Sequence, residues 1–301
     1  MRERIDRIEA LIQREVGRGA TALFAAARGG LWGAVSALSA ATPRHAGILT
    51  GFFVPRGTPP AAETDGPAGT ALLALALSRI GVRCRLLTDE ACGTACEAAL
   101  SGAGLTGVPV DAVAPDASLQ NVIDDWRSRG IDWIIAIERC GLSADGRPRN
   151  MRGEDIGAHA APLDHLFTAG PWRTIAIGDG GNEVGMGALP DGLIAREVPL
   201  GATIACVTPA DFLIAAGVSH WGAYGLIAGL AVRHVEWRES LLGCLDPAID
   251  ERILATLVER GPAVDGVTLG RTPTIDGLDM TVHRAKLEQV KAAAVGTAAR
   301  S

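Results

Sequence analysis

Apolar runs typical of strands alternate with helical patterns from residue 46 to residue 235. Alternation of this kind is typical of a mainly parallel β-sheet that is covered by helices on both faces. The sequence therefore predicts a three-layer, Rossmann-like α/β fold. The predicted strands are 46–54, 82–88, 107–113, 131–137, 172–177 and 203–208, and the predicted helices between them are 67–80, 90–101, 117–129 and 159–169.

The two ends of the chain have helical patterns as well. Residues 1–45 are expected to form helices that pack on the core, and residues 46–295 to form a single α/β catalytic domain. A helix at 247–260, a strand at 263–269 and a helix at 278–294 are predicted in its last part. Residues 213–232 are mostly apolar but include Ser219, His220 and four glycines, so they indicate a buried helix or helix pair rather than a membrane span.

Charge and cysteine content exclude several kinds of partner. The net charge of −6 argues against nucleic acid and against an anionic membrane surface. The chain has six cysteines and no secretory signal pattern, so we expect reduced thiols and a cytoplasmic location. A small acidic molecule is the expected ligand. The sequence does not decide between a monomer and a homo-oligomer.

The most unusual stretch is residues 177–187, which follows a predicted strand. Five glycines fall within ten residues there, interleaved with Asp179, Asn182 and Glu183. Glycine lets a ligand approach the backbone closely, whereas a plain turn with solvated acids needs fewer glycines. The spacing is neither a dinucleotide fingerprint nor a phosphate-binding loop, and no lysine is near. We therefore expect no NAD, no ATP and no pyridoxal phosphate (PLP).

Acidic residues follow several of the predicted strands. Asp89, Glu138 and Asp179 end a strand or meet its end, and Glu63 and Asp65 follow another strand through a longer loop. Carboxyl ends of parallel strands meet at one edge of the sheet, so we expect these side chains to converge. Oxygen ligands favour Mg²⁺ or Mn²⁺. The predicted catalytic residues are Asp179, Glu183 and Glu138, and the predicted metal ligands are Asp179, Glu183, Glu138 and Asp89.

Two further features allow two interpretations each. Arg149 and Arg152 lie in a polar loop after the Glu138 strand, where they could clamp a carboxylate or form local ion pairs only. His220 interrupts an apolar stretch, which is compatible with a buried histidine or with one that faces a ligand.

Several motifs together resemble the D-glutamate cyclase family, over roughly residues 46–235. The resemblance is to the C-terminal, cyclase-like domain of that family. The chain departs from the family pattern at His220, where the pattern has asparagine. The motifs that carry the resemblance are Glu63–Gly69, Asn150–Gly153, Gly178–Gly187, Ala210–Phe212 and Gly217–Gly222.

This resemblance implies a carbon–oxygen lyase that cyclises D-glutamate to 5-oxo-D-proline with loss of water. A divalent cation held by acids would polarise the carboxylate that the amine attacks. A metal-dependent phosphatase or other hydrolase acting on a small acidic metabolite, and a non-catalytic metabolite-binding module, remain alternatives. The residues expected to bind the substrate are Glu63, Thr64, Asp65, Gly66, Arg149, Asn150, Arg152, Gly180, Gly181, Asn182, Ser219 and His220.

Overall fold

A computed structural model describes residues 1–17 and 19–296. Its strands are β1 His45–Gly51, β2 Phe53–Val54, β3 Ala61–Glu63, β4 Arg83–Asp89, β5 Val110–Val113, β6 Trp133–Arg139, β7 Arg173–Gly178, β8 Phe212–Ala215, β9 Ala263–Val264, β10 Thr274–Ile275 and β11 Leu278–Asp279.

The α-helices form most of the remaining regular structure. They are α1 Arg2–Ile12, α2 Thr21–Ala26, α3 Gly30–Ala40, α4 Asp65–Arg79, α5 Gly93–Gly102, α6 Gln120–Ser128, α7 Leu166–Ala169, α8 Leu193–Glu197, α9 Gly201–Ile204, α10 Ser219–Arg233, α11 Arg238–Leu242, α12 Pro247–Arg260 and α13 Met280–Val295. Among the described residues, no helix combines the length and the apolar composition that crossing a membrane requires.

A six-stranded sheet of order β5-β4-β1-β6-β7-β8 forms the centre of the molecule, and its neighbouring strands all run parallel. Side chains of alternate residues in the central strands pack into two hydrophobic cores on opposite faces of the sheet. Ile135 and Ile177 pack with α1, α3, α4, α10 and α13, whereas Ile134 and Ala176 pack with α2, α6 and α8. This three-layer arrangement confirms the predicted fold class.

The strand order reverses direction at β1. The chain adds β4 and β5 on one side of β1 and then returns to add β6, β7 and β8 on the other side. Ligands of such sheets bind beyond the carboxyl ends of the strands, at the point where the order reverses. The fold therefore predicts a ligand-binding site at the carboxyl ends of β1, β6 and β7.

Three predicted elements are wrong. Residues 203–208 are not a strand, and α9 covers the first two of them. The last strand of the sheet is instead β8, which lies in the apolar stretch predicted to be helical. The strand at 263–269 shortens to β9, which pairs with β3 in a separate small sheet. The helix at 159–169 reduces to a 3₁₀ turn, Leu163–His165, followed by α7.

Candidate functional site

Three buried carboxylates meet at the point where the strand order reverses. Asp65 is the first residue of α4, Glu138 lies near the end of β6, and Asp179 follows β7 directly. Each contributes an oxygen that lies within 4.8 Å of the oxygens of the other two. We call these three residues the carboxylate group.

The N-terminus of α10 orients the carboxylate group. The backbone N–H of Ser219 donates to Oδ2 of Asp65 at 3.1 Å and to Oδ2 of Asp179 at 3.2 Å. The Ser219 hydroxyl donates to Oε2 of Glu138 at 2.6 Å, and the N–H of His220 donates to Oδ1 of Asp65 at 2.7 Å. The positive end of the helix dipole also stabilises negative charge here.

Glu183 has a different role from that of the carboxylate group. Its carboxylate accepts the backbone N–H groups of Asp179 at 3.0 Å, Gly180 at 2.6 Å and Gly181 at 2.7 Å. Successive backbone N–H groups of this kind form an anion-binding concavity, which Glu183 itself fills. Gly181 has φ of +102°, a conformation that favours glycine. The backbone of the glycine-rich loop thus surrounds the Glu183 carboxylate, and this contact positions Asp179.

Asp89 lies outside the carboxylate group. The guanidinium of Arg139 binds it through both terminal nitrogens, and the N–H of Ala161 donates to its Oδ1 at 2.7 Å. Both charged side chains are fully buried. The strand end therefore carries a buried ion pair, and Asp65 occupies the place in the group that we had expected for Asp89.

A cavity of about 310 Å³ opens beside the carboxylate group. Among the described residues, its charged lining is strongly asymmetric, with four acids and one cation, Arg152. Among the described residues, Arg152 forms no ion pair, and its side chain is exposed at the cavity. The predicted residues that line this cavity are Glu63, Glu138, Asn150, Arg152, Asp179, Asn182 and Glu183.

One wall of the cavity comes from parts of the chain that the sequence did not single out. Gly266 and Val267, from the loop after β9, form this wall together with Phe53 and Pro199. Gly266 lies so close to Glu63 that a Cβ atom at this position would overlap the carboxylate. No local sequence signal marks this loop, because only the small sheet of β2, β3 and β9 brings it to Glu63.

Other predicted binding residues face away from the cavity. Arg149 binds Asp145 and the carbonyl oxygen of Gly153. The Thr64 hydroxyl donates to the carbonyl oxygen of Thr274, and Gly66 packs against Thr50 and Glu138.

Two asparagines of the cavity wall order the backbone around it. Oδ1 of Asn150 accepts the N–H groups of Arg152 and Glu154, both at 3.0 Å. Asn182 donates to the carbonyl oxygen of Arg149 at 2.8 Å. These contacts fix the loop that presents Arg152.

The side chain of His220 belongs to a buried network behind the site. Its Nε2 lies 2.8 Å from Oδ1 of Asp250 on α12, and the Tyr224 hydroxyl donates to Oδ2 of the same carboxylate. Asp250 is not among the predicted site residues, although the sequence contains a signal for it. Asp250 lies in the apolar stripe of α12, where an ionisable residue calls for a partner.

Burial and neighbouring negative charge both raise the pKa of Glu138. Burial raises the pKa of its carboxyl well above the ordinary value, and the carboxylates of Glu183, Asp65 and Glu63 raise it further. Its backbone has φ of +46°, which is uncommon for a residue with a side chain. Such local strain is typical of functional sites.

Comparisons with known proteins identify the family of the chain. The family described as "D-glutamate cyclase-like, C-terminal" matches residues 8–291. The human protein named "D-glutamate cyclase, mitochondrial" is 32% identical over 212 residues, which are 65% of this chain and 34% of the human protein. The matched part thus spans about a third of that relative. The chain belongs to the D-glutamate cyclase family, through its C-terminal, cyclase-like domain.

Proposed function

We propose that this chain is a carbon–oxygen lyase that cyclises D-glutamate to 5-oxo-D-proline with loss of water. Its family supports this activity, and so does the human relative's name. The observation that carries the proposal is one small cavity beside the carboxylate group that, among the described residues, is lined by four acids and one arginine.

The charge distribution of the cavity suits an amino acid. The carboxylate group attracts the α-ammonium, and the planar fork of Arg152 suits the α-carboxylate. A phosphate ester, which carries negative charge and no ammonium, would meet four acids and one arginine among the described lining residues. We therefore favour the cyclase over the phosphatase.

The reaction balances its protons internally. The nitrogen of the ammonium form loses two protons when it becomes the lactam N–H, and the departing oxygen gains two protons when it leaves as water. Glu138 and Asp179, which line the cavity, are positioned to receive protons from the nitrogen and to return them to the oxygen.

We also propose that Asp65, Glu138 and Asp179 hold a divalent cation. The donors are all oxygens, which suits Mg²⁺ or Mn²⁺, and their mutual repulsion is a reason to bind a cation. When bound, the cation supplies Lewis-acid polarisation of the attacked carboxylate. Asp65 replaces Asp89 and Glu183 in this ligand set. We propose that the reaction uses no pyridoxal phosphate, NAD or ATP.

Conversion of D-glutamate to 5-oxo-D-proline, separated by chiral chromatography, tests the proposal. The assay is run with Mg²⁺, with Mn²⁺ and with a strong chelator, against an enzyme-free blank and L-glutamate. Absence of product under every metal condition would refute the activity. If D-glutamate then raises the melting temperature of the protein without being converted, a binding module is favoured. If the protein releases phosphate from generic esters, a hydrolase is favoured.

Asp179→Asn separates a role in the reaction from a structural role. The change keeps the shape and removes a charge, so we expect turnover to fall on the order of 10²-fold or more. Asp164→Asn is the matched control, because Asp164 is also buried and hydrogen-bonded but lies outside the cavity lining. Unchanged turnover in Asp179→Asn, or full turnover with the chelator present, would contradict the proposed metal role.

A further inference from the structure

A second cavity, of about 450 Å³, lies on the helical face that carries α1, α10 and α13. It is larger than the cavity at the carboxylate group and shares no lining residue with it. Residues 14–16, which follow α1, form one side, Trp221 of α10 forms the floor, and one face of α13 forms the other side. Its size and its largely apolar lining are typical of a small-molecule site.

Two cations line this cavity, and neither has an acidic partner among the described residues. Lys286 on α13 is almost completely buried, its Nζ donates to the carbonyl oxygen of Leu11 at 2.5 Å, and it lies 4.8 Å from the centre of the Trp221 ring. Arg14 lines the same cavity. Within residues 1–17 and 19–296, no carboxylate forms an ion pair with either side chain.

The one acid of the lining is engaged elsewhere. Oε1 of Glu15 accepts the backbone N–H groups of Gly17 at 2.8 Å and Gly19 at 3.1 Å, so it orders the loop that follows. Burial, and then the charge of Arg14, lower the pKa of Lys286 to about 8. An anion between Arg14 and Lys286 would relieve this repulsion.

We propose that this cavity binds a small monocarboxylate with an apolar chain or ring. The carboxylate lies between Arg14 and Lys286, and the apolar part packs on Trp221, Val282 and Ala285. Among the described lining residues the one carboxylate is that of Glu15, which already binds the loop amides, so the site favours a carboxylate without an ammonium over an amino acid such as glutamate. The site is therefore separate from the proposed cyclisation, and its test does not depend on that activity.

Titration calorimetry with hexanoate tests the site, with hexan-1-ol as the probe that lacks the charge. We expect hexanoate to bind more tightly than hexan-1-ol, and Lys286→Met to weaken hexanoate binding at least about 10-fold by removing a charge-assisted hydrogen bond. Arg14→Gln, at an exposed position, should weaken it about 3-fold or more. The matched control is Lys291→Met, since Lys291 lies on the same helix but donates to Leu245 outside the cavity.

Equal binding of hexanoate and hexan-1-ol, or equal affinities in Lys286→Met and Lys291→Met, would overturn the proposal. A second measurement needs no variant, because Lys286 and Lys291 are the only lysines of the chain. Hexanoate should slow reductive methylation of Lys286 at least about 3-fold, read by peptide mass spectrometry, and leave Lys291 unchanged. Equal slowing of both, or no methylation of Lys286 in the free protein, would count against a ligand-accessible site.

Discussion

Arg152 and Arg149 lie three residues apart in one loop, and only Arg152 lines the cavity of the carboxylate group. Arg152→Ala should raise the KM for D-glutamate about 10-fold or more, because the substrate carboxylate loses its bidentate partner. Arg152→Lys should be nearly as harmful, since an ammonium lacks the planar fork. Steady-state kinetics of the two variants measure both effects.

Arg149→Ala is the matched control for this prediction. Arg149 already binds Asp145 and Gly153, so its loss should leave KM near the wild-type value. A raised KM in Arg149→Ala together with an unchanged KM in Arg152→Ala would reverse the assignment.

At the scale of single residues, the sequence predicted which side chains reach the sheet edge but not what they contact there. Asp89 and Asp179 both lie at strand ends, yet Arg139 on β6, two strands away in the sheet, neutralises Asp89. Asp65 completes the carboxylate group because α4 begins over the edge of β6 and β7, which is a property of three-dimensional packing. His220 faces Asp250 on α12, a helix that begins 27 residues later in the chain.

The glycine-rich loop is the element that depends most on a single side chain. Glu183→Gln leaves only one oxygen to accept the N–H groups of Asp179, Gly180 and Gly181. We expect a loss of about 1–3 kcal/mol in the free energy of unfolding, since a buried N–H loses its partner. Denaturant titration measures this loss, and Glu197→Gln, at an exposed position, is the control. Equal stability of the two variants would contradict the role of Glu183.

The contact between α10 and α12 depends on Asp250. Asp250→Ala removes the partner of His220 Nε2 and of the Tyr224 hydroxyl, both buried, and should cost at least about 2 kcal/mol of stability. Glu251→Ala removes only a half-exposed ion pair with Arg284 and should cost less than about 1 kcal/mol. Thermal and denaturant unfolding compare the two. A smaller loss in Asp250→Ala than in Glu251→Ala would show that α10 is held by other contacts.

At the scale of elements, the central-sheet strands β1, β4, β6 and β7 could be predicted because each contains an apolar run that follows a turn signal. Strand β8 could not, since its four residues continue into the apolar sequence of α10 without a change in composition. The strand β9 is set by its pairing with β3, which hydrophobic periodicity does not report.

The stability of the whole molecule should fall between pH 6.5 and pH 4 through His283. Burial, and then His220, lower the pKa of His283 to about 4 in the folded chain, while Asp250 raises it. Between pH 6.5 and pH 4, His283 is therefore protonated in the unfolded chain but neutral in the folded chain. The free energy of unfolding decreases by up to about 1.4 kcal/mol per pH unit as the pH falls through this range.

The comparison of wild type with His283→Gln isolates this contribution from that of the carboxylates. A glutamine can accept from Trp221 Nε1 and donate to the carbonyl oxygen of Ile275, as His283 does, but it does not titrate. Denaturant unfolding at pH 6.5 and pH 5 should show a flatter pH dependence in the variant. If the free energy of unfolding depends on pH equally in the wild type and the variant, His283 is excluded as the cause of the pH dependence.

The wall that Gly266 and Val267 place against Glu63 has a consequence for biosynthesis. A ribosome has made all three members of the carboxylate group by residue 179, and the amides that orient them by residue 220. The cavity, however, lacks one side until residue 267 has left the exit tunnel. The closed pocket is therefore one of the last features of the molecule that a nascent chain can complete.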